Sequence, residues 1–321
     1  MSEVSTYIAR QNDEIVCLLL YRRNGRQIRV LNEGIELPHA DIEQFSRTMF
    51  IRHSGVDCIV FNAIRASLRP MPYPVQQYYW TDDIVAELPD TVDGYLARLS
   101  KNMRQSTKYY VNRVRRLHPS FRFQVFSGDG INERMVREIY QFNRRRMESK
   151  QVVPNVPDEE VSRILALSRR RGFVMVATIN DQVCGGLVFW RVGDDVYLRS
   201  IAHDPQYDDI NLGTVCCHLG MMECINIGAR RFHFLWGRMP YKYRFLGEDR
   251  AFDRIVLYRN RVSLVRQAVT AFLTMKAGLS NELDIWLAGA ENREDAKSRA
   301  ALRLLRAWRL CKKLKTKLIR R

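Results

Sequence analysis

Apolar residues along the chain recur in two rhythms, strand-like runs and a three-to-four residue helical spacing, and the switches between them mark out the elements. Ile15 to Tyr21 is an apolar run that meets Asn24-Gly25, a dipeptide that tolerates positive φ, and Gln27 to Leu31 returns from it as a hairpin. Ile42, Phe45 and Met49 keep helical spacing up to Gly55, and Asp57 to Ile64 reads as a strand. Proline has no amide donor and a fixed φ, so Pro70-Met71-Pro72-Tyr73-Pro74 excludes helix and central strand and reads as a boundary or a crossing loop. Leu96, Leu99, Met103, Thr107, Tyr110, Val114 and Leu117 form one stripe, which predicts a single long helix over 95–117 capped by Thr91 or Asp93.

Beyond it, Phe121 to Phe126 alternates as a strand. Helical spacing follows over 131–147 and again at Val161, Ile164, Leu165 and Ser168, up to Gly172. Phe173 to Ile179, Val183 to Val192 and Val196 to Ala202, joined at Asn180-Asp181 and Gly193-Asp194, predict a three-stranded antiparallel meander. Gly185-Gly186 inside its middle strand marks a bulge or a close backbone approach. A loop from His203 to Asn211 leads into a helix through Leu212, Val215, Cys216, Leu219 and Met222, which Gly228 ends. A strand from Arg231 to Trp236, a short helix and a strand from Phe252 to Arg259 complete this half. The hairpin, helix and strand of the first half echo its opening in order, though not in residues. The pattern is that of an α+β protein with mixed, mostly antiparallel sheets flanked by helices. Its expected segments are 1–90, 91–260 and a helical region over 261–321.

Composition narrows the class. A chain of 321 residues that is 46% hydrophobic and 27% charged can bury two ordinary cores. The net charge of +17 makes nucleic acid, acidic lipid and phosphorylated cofactors the natural partners. Eight Lys or Arg residues and no Asp or Glu lie between Gly94 and Gly128, either as a solvated face or as a surface for anions. The seven cysteines form no CxxC pair, and no basic-then-apolar leader opens the chain, so reduced thiols and a cytoplasmic location are expected. Val262 to Leu279 is apolar but broken by Arg266, Gln267 and Lys276, short of a membrane span.

The helix that opens at Gly213-Thr214 after an irregular loop would present unpaired amides, and its small residue would let a diphosphate approach the backbone. Neither GxxxxGK[ST] nor GxGxxG occurs. Cys216, Cys217, His218 and Cys224 lack the spacing of a zinc site and read as buried small groups, so no metal is expected. The segment Phe232-His233-Phe234-Leu235-Trp236-Gly237-Arg238-Met239-Pro240-Tyr241-Lys242-Tyr243-Arg244-Phe245, with the element order around it, resembles the GNAT superfamily. The branch it looks most like is the CelD-like or BioF2-like acetyltransferases, related to FemAB-type transferases with two GNAT-like halves. Tyr95-Leu96-Ala97-Arg98-Leu99-Ser100-Lys101-Asn102-Met103-Arg104 is similar to the same branch.

The resemblance implies two GNAT-like halves, 1–90 and 91–260, and an N-acyltransferase that takes acetyl-CoA or another acyl-CoA to an amine, such as one on an envelope or polysaccharide precursor. It maps the oxyanion-facing amide to Ile201 or Ala202 and the diphosphate to Asn211, Leu212, Gly213 and Thr214. Tyr241, Lys242 and His233 become the expected catalytic residues. Tyr241 would donate to the leaving thiolate or simply pack as an aromatic, and His203, His233, Asp208 and Asp209 are the candidate bases. Three departures stand out: His233 where the pattern has Asp, Leu235-Trp236 where it has a small residue, and Arg238-Met239 where it has an acidic pair. A FemAB-like transferase using aminoacyl-tRNA, and a catalytically silent relative that binds a membrane or a partner, are the rival readings.

The tail adds a partner. Ala301, Leu304, Leu305, Trp308, Cys311 and Leu318 lie on one helical stripe among nine Lys and Arg residues. Such a basic helix would rest on anionic lipid at the inner face of the membrane or dock on the protein's own core.

Overall fold

A computed structural model describes residues 3–149 and 156–291. The basic stripe expected over 301–318 lies outside the described residues. The chain divides into two compact units, residues 1–81 with 251–321, and residues 82–250.

In the first unit, β1 (Val4–Gln11) and β2 (Glu14–Asn24) form an antiparallel hairpin whose turn residues Asn12 and Asp13 both take positive φ. β3 (Gln27–Val30) pairs with β2, and β5 (Cys58–Arg65) runs parallel to β3 and to the two-residue β4 (Ile35–Glu36). β12 (Glu248–Tyr258) pairs antiparallel with β5. Helix α1 (His39–Arg52) turns Ile42, Phe45 and Met49 onto this sheet, where Phe45 meets Tyr7, Tyr21 and Phe61 edge-on. The alternate residues Cys58, Val60, Val256 and Tyr258 face the other way, toward Leu264 of α8 (Arg261–Arg266) and Ala271 of α9 (Ala268–Glu291).

Strand β6 (Val75–Glu87) carries the chain into the second unit. The proline run at 70–74 is followed at once by this strand, which the local pattern had not announced. The expected single helix over 95–117 is two helices, α2 (Val92–Arg98) and α3 (Lys101–Leu117), separated by an extended Leu99. The break has a local cause: Thr91 caps α2 by accepting from Gly94 N–H at 3.1 Å, and Ser100 starts a new helix by accepting from Met103 N–H at 3.2 Å. The same apolar stripe continues across the break, which is why periodicity alone could not see it.

The sheet of this unit runs β7 (Arg122–Ser127), β8 (Gly172–Ile179), β9 (Gln182–Val192), β10 (Asp195–His203), β11 (Arg231–Trp236), β6. Neighbours are antiparallel except β10 and β11, which are parallel. One face is covered by α2, α3 and α6 (Leu212–Asn226), the other by α4 (Glu133–Ser149) and α5 (Asp158–Arg171). Gly185-Gly186 answers to both readings. The β8/β9 register shifts beside Gly185, and a Cβ on Gly186 would lie 2.6 Å from the backbone oxygen of Met175 and 2.5 Å from Ile139 Cδ1 of α4. Among the described residues no helix is long and apolar enough to cross a membrane.

Candidate functional site

The parallel ladder between β10 and β11 is short. It runs from Asp195↔Arg231 to Tyr197↔His233, while β10 continues to His203 and β11 to Trp236. The strands therefore part beyond Tyr197 and His233. Two backbone features end the pairing on the β11 side. Leu235 takes positive φ (57°), and the register with β6 shifts between His233 and Trp236.

His233, at the fork, is buried and stacks on Tyr197 with ring centroids 4.3 Å apart. Its Nδ1–H donates to Asp83 Oδ2 on β6 at 2.6 Å, and Nε2 stands 3.7 Å from Asp195 Oδ2. Arg231 holds Asp195 in a bidentate pair at 2.6 and 2.8 Å. Asp83 is 3% exposed, and its second oxygen, Oδ1, has no hydrogen-bond partner among the described residues. Asp82, next in line and equally buried, accepts from Arg238 Nε at 2.6 Å, and Arg238 also reaches Asp249 at 3.5 Å. The carboxylates absent from the 232–245 segment are thus supplied from β6. Sequence reasoning missed them along with β6, since the Asp82-Asp83 pair interrupts the apolar and aromatic positions of Val75 to Ala86.

Lys242, on the short helix α7 (Pro240–Arg244), is buried and donates from Nζ to the carbonyls of Phe234, Leu235 and Trp236 at 3.0, 2.9 and 2.8 Å. Its three protons are spent on the backbone that closes β11, and burial brings its pKa down to about 8. That arrangement makes it a staple for the strand end rather than a group free to react. Tyr241 packs edge-on against Phe234 at 6.1 Å. Its phenol is pushed up by burial and by Cys217 of α6, and is drawn down by Arg146 of α4. Tyr241 also packs against the apolar core that α2, α3 and α6 form on their face of the sheet.

On the other side of the fork, β10 delivers half-buried Ile201 and buried Ala202, then His203. A 3-10 segment, Pro205–Ile210, kinked at Tyr207, leads to Asn211 in the left-handed region (φ 51°), and α6 starts there with no side-chain cap. Leu212 is buried, whereas Gly213 and Thr214 are partly exposed. His203 lies over this start: a Cβ on Gly213 would come within 2.9 Å of its Nδ1, and its Nε2 is 2.7 Å from Asp208 Oδ1. Helix α3 braces the segment through His118 against Tyr207 at 5.5 Å and Arg113 to Asp209 at 3.7 Å. Its outer side exposes Lys101, Arg104, Lys108, Arg115 and Arg116. The expected residues thus fall into two groups, His233, Tyr241 and Lys242 around β11, and Ile201, Ala202 and Asn211 to Thr214 around the end of β10.

The cysteine-rich helix α6 buries its thiols and its histidine. Burial pushes the thiols of Cys216, Cys217 and Cys224 well above their usual range, and brings His218, whose Nδ1 lies 3.2 Å from Tyr95 Oη, down to about 4.

Residues 101–243 match the family model described as an acetyltransferase (GNAT) domain. Among solved structures, FemX superposes with a TM-score of 0.59 at 8% identity, covering 82% of this chain and 90% of that one. A conserved protein of unknown function from Bacteroides thetaiotaomicron VPI-5482 gives a TM-score of 0.51 at 11% identity, over 75% and 83% of the two chains. At such identities the likeness concerns the fold. No curated protein matches the chain.

Proposed function

We propose that the chain is an N-acyltransferase that moves an acyl group from a coenzyme A thioester to an amine. The observation that carries this reading is the β10/β11 fork beside the uncapped start of α6. A gap in a parallel ladder leaves room for a thioester arm, and an uncapped helix end offers amides and a positive dipole to a diphosphate. Asn211, Leu212, Gly213 and Thr214 would hold that diphosphate: left-handed Asn211 makes no side-chain cap across the helix end, and Thr214, whose N–H already donates to Asn211 O at 2.9 Å, would add its hydroxyl. When bound, coenzyme A would supply the acyl group as a thioester.

The chain's own residues then divide the work. Backbone amide at Ile201 or Ala202 faces the carbonyl oxygen. Asp83, through the unpartnered Oδ1, takes the proton of the incoming ammonium, and His233 holds that carboxylate in place. Tyr241, kept protonated by burial, would give a proton to the leaving sulfur as the C–S bond breaks, and its phenolate would take up the second proton that the nitrogen releases once the C–N bond has formed. Lys242 positions the end of β11. The CelD-like or BioF2-like branch, a duplicated first half over 1–90, and work at the cytoplasmic side on an envelope or polysaccharide amine belong to the same proposal, supported by Tyr241-Lys242 and the Tyr95 to Arg104 segment.

Calorimetric titration with acetyl-CoA tests the donor: heat of binding with a raised melting temperature is expected, and no heat with no thermal shift sinks it. One observation favours a second donor. The exposed basic side of α3, beside the α6 start, also suits the phosphates of an aminoacyl-tRNA. Salt-sensitive tRNA binding without coenzyme A binding would decide for that reading.

A further inference from the structure

Several arginines of the first unit meet oxygen within the protein. Arg26 and Arg266 share Asp57, and Arg259 donates to the carbonyls of Val56 and His53 at 2.8 and 2.6 Å. Arg254 of β12 differs from them. Its Nε is buried without a hydrogen-bond partner among the described residues, and its guanidinium lies over the ring of Trp80, with Cζ 5.2 Å from the centroid. Burial, and next the charge of Arg29, work against the positive charge of Arg254. An arginine cannot escape this cost by losing its proton, so the charge persists without an anion to meet it.

Strand pairing explains how Arg254 comes to lie there. Ile255 of β12 pairs with Phe61 of β5, but Asp253 pairs with Ile64, so β5 carries an extra residue opposite Arg254. That bulge falls at Asn62 and Ala63, and Ala63 takes positive φ (49°). Ile255, Phe61 and Ile64 face the core under α1, which leaves Arg254 and Asn62 to the opposite face. Arg29, from β3 on the far side of β5, reaches the same place: its Nε and Nη2 donate to the amide oxygen of buried Asn62 at 3.2 and 2.9 Å.

The carboxylates nearby do not settle these charges. Asp253 alternates to the other face of β12, where it accepts from Gln77 Nε2 at 2.6 Å. Glu33 stands 3.6 Å from Arg29, with the two side chains 57% and 40% exposed for Arg29 and Glu33, a contact that water largely screens.

We propose that Arg254 and Arg29, backed by Trp80, form a binding site for a phosphate monoester dianion. Guanidinium forks match phosphate oxygens in pairs, and two of them suit two negative charges, whereas a carboxylate would answer only one. Exposed Arg29 forms the entrance, and half-buried Arg254 the floor. The site is built from residues of the first unit alone and does not rest on the acyl-transfer reading.

The test is a calorimetric titration of the full chain with inorganic phosphate in mildly alkaline buffer, where phosphate is a dianion, at an ionic strength held constant with chloride. Phosphate should bind, and acetate, a monoanion, should not displace it. Arg254→Gln and Arg29→Gln should each weaken phosphate binding at least about tenfold. Without phosphate, Arg254→Gln should melt no earlier than the unaltered chain, because it removes a charge that has no counterion. An isotherm that neither variant changes would place the anion elsewhere on this basic chain and overturn the proposal. So would absent binding by the unaltered chain, or a much earlier melting of Arg254→Gln, which would mean that a carboxylate of the chain already meets the guanidinium.

Discussion

Asp57 in the first unit and Asp83 in the second are buried to nearly the same degree, 2% and 3% exposed, yet they live in opposite electrostatic surroundings. Asp57 is saturated. Arg26 grips it with two nitrogens, Ser263 and Arg266 donate to it, and these partners hold its carboxyl far below the usual carboxylate range. Asp83 accepts from His233, and its second oxygen has no hydrogen-bond partner among the described residues. A buried charge with donors on both oxygens serves as a clamp, whereas one with an oxygen left short beside a gap in a sheet retains capacity for a proton or a ligand.

The contrast can be broken most forcefully at Asp57. Asp57→Ala leaves the Arg26 and Arg266 guanidiniums without their shared carboxylate, and a loss of about 3–5 kcal/mol is expected in chemical denaturation. The pH dependence has a definite sign. The folded pKa of Asp57 lies below its ordinary 3.8, so its stabilisation is complete above about pH 4 and fades as pH falls below that value. In the variant that acid-dependent loss should shrink.

At Asp83 the expected effect is on turnover. Asp83→Asn keeps the shape and a contact to His233 but removes the proton acceptor, so kcat/KM for acyl transfer should fall about 100-fold, roughly 2.7 kcal/mol, with less stability lost than in Asp57→Ala. A variant that melts early but keeps its turnover would make Asp83 another clamp. Lys242→Met comes next. It leaves the carbonyls of Phe234, Leu235 and Trp236 without their donor, for a loss of about 1–3 kcal/mol in thermal or denaturant unfolding. The smallest effect is expected at Gly213→Ala, whose new Cβ would push the His203 ring aside and weaken acetyl-CoA binding about tenfold by calorimetry, with stability little changed.

Much of the second unit could be read from the chain because its signals are local. The meander from Phe173 to Ala202 is written in apolar runs with Asn180-Asp181 and Gly193-Asp194 between them, and α6 in the spacing of Leu212, Val215, Cys216 and Leu219. The GNAT likeness of the Tyr241-Lys242 segment was visible for the same reason. By contrast, the break at Leu99-Ser100 hid inside an unbroken stripe, because a cap is one hydrogen bond and leaves the hydrophobic period untouched.

The amino-acid sequence by itself determined the periodicities, the turns, the excess of positive charge and a segment that resembles GNAT domains. Only the tertiary structure decided what that segment is made of chemically. Asp83 is 150 positions from His233 in the chain and 2.6 Å away in space, and Arg238, which seemed to cancel an acidic pair, is itself paired with Asp82. Likewise, periodicity could say that α9 has an apolar face but not that it points outward. Strand pairing and helix orientation are set by partners far along the chain, and neither leaves a local imprint on the residues it brings together.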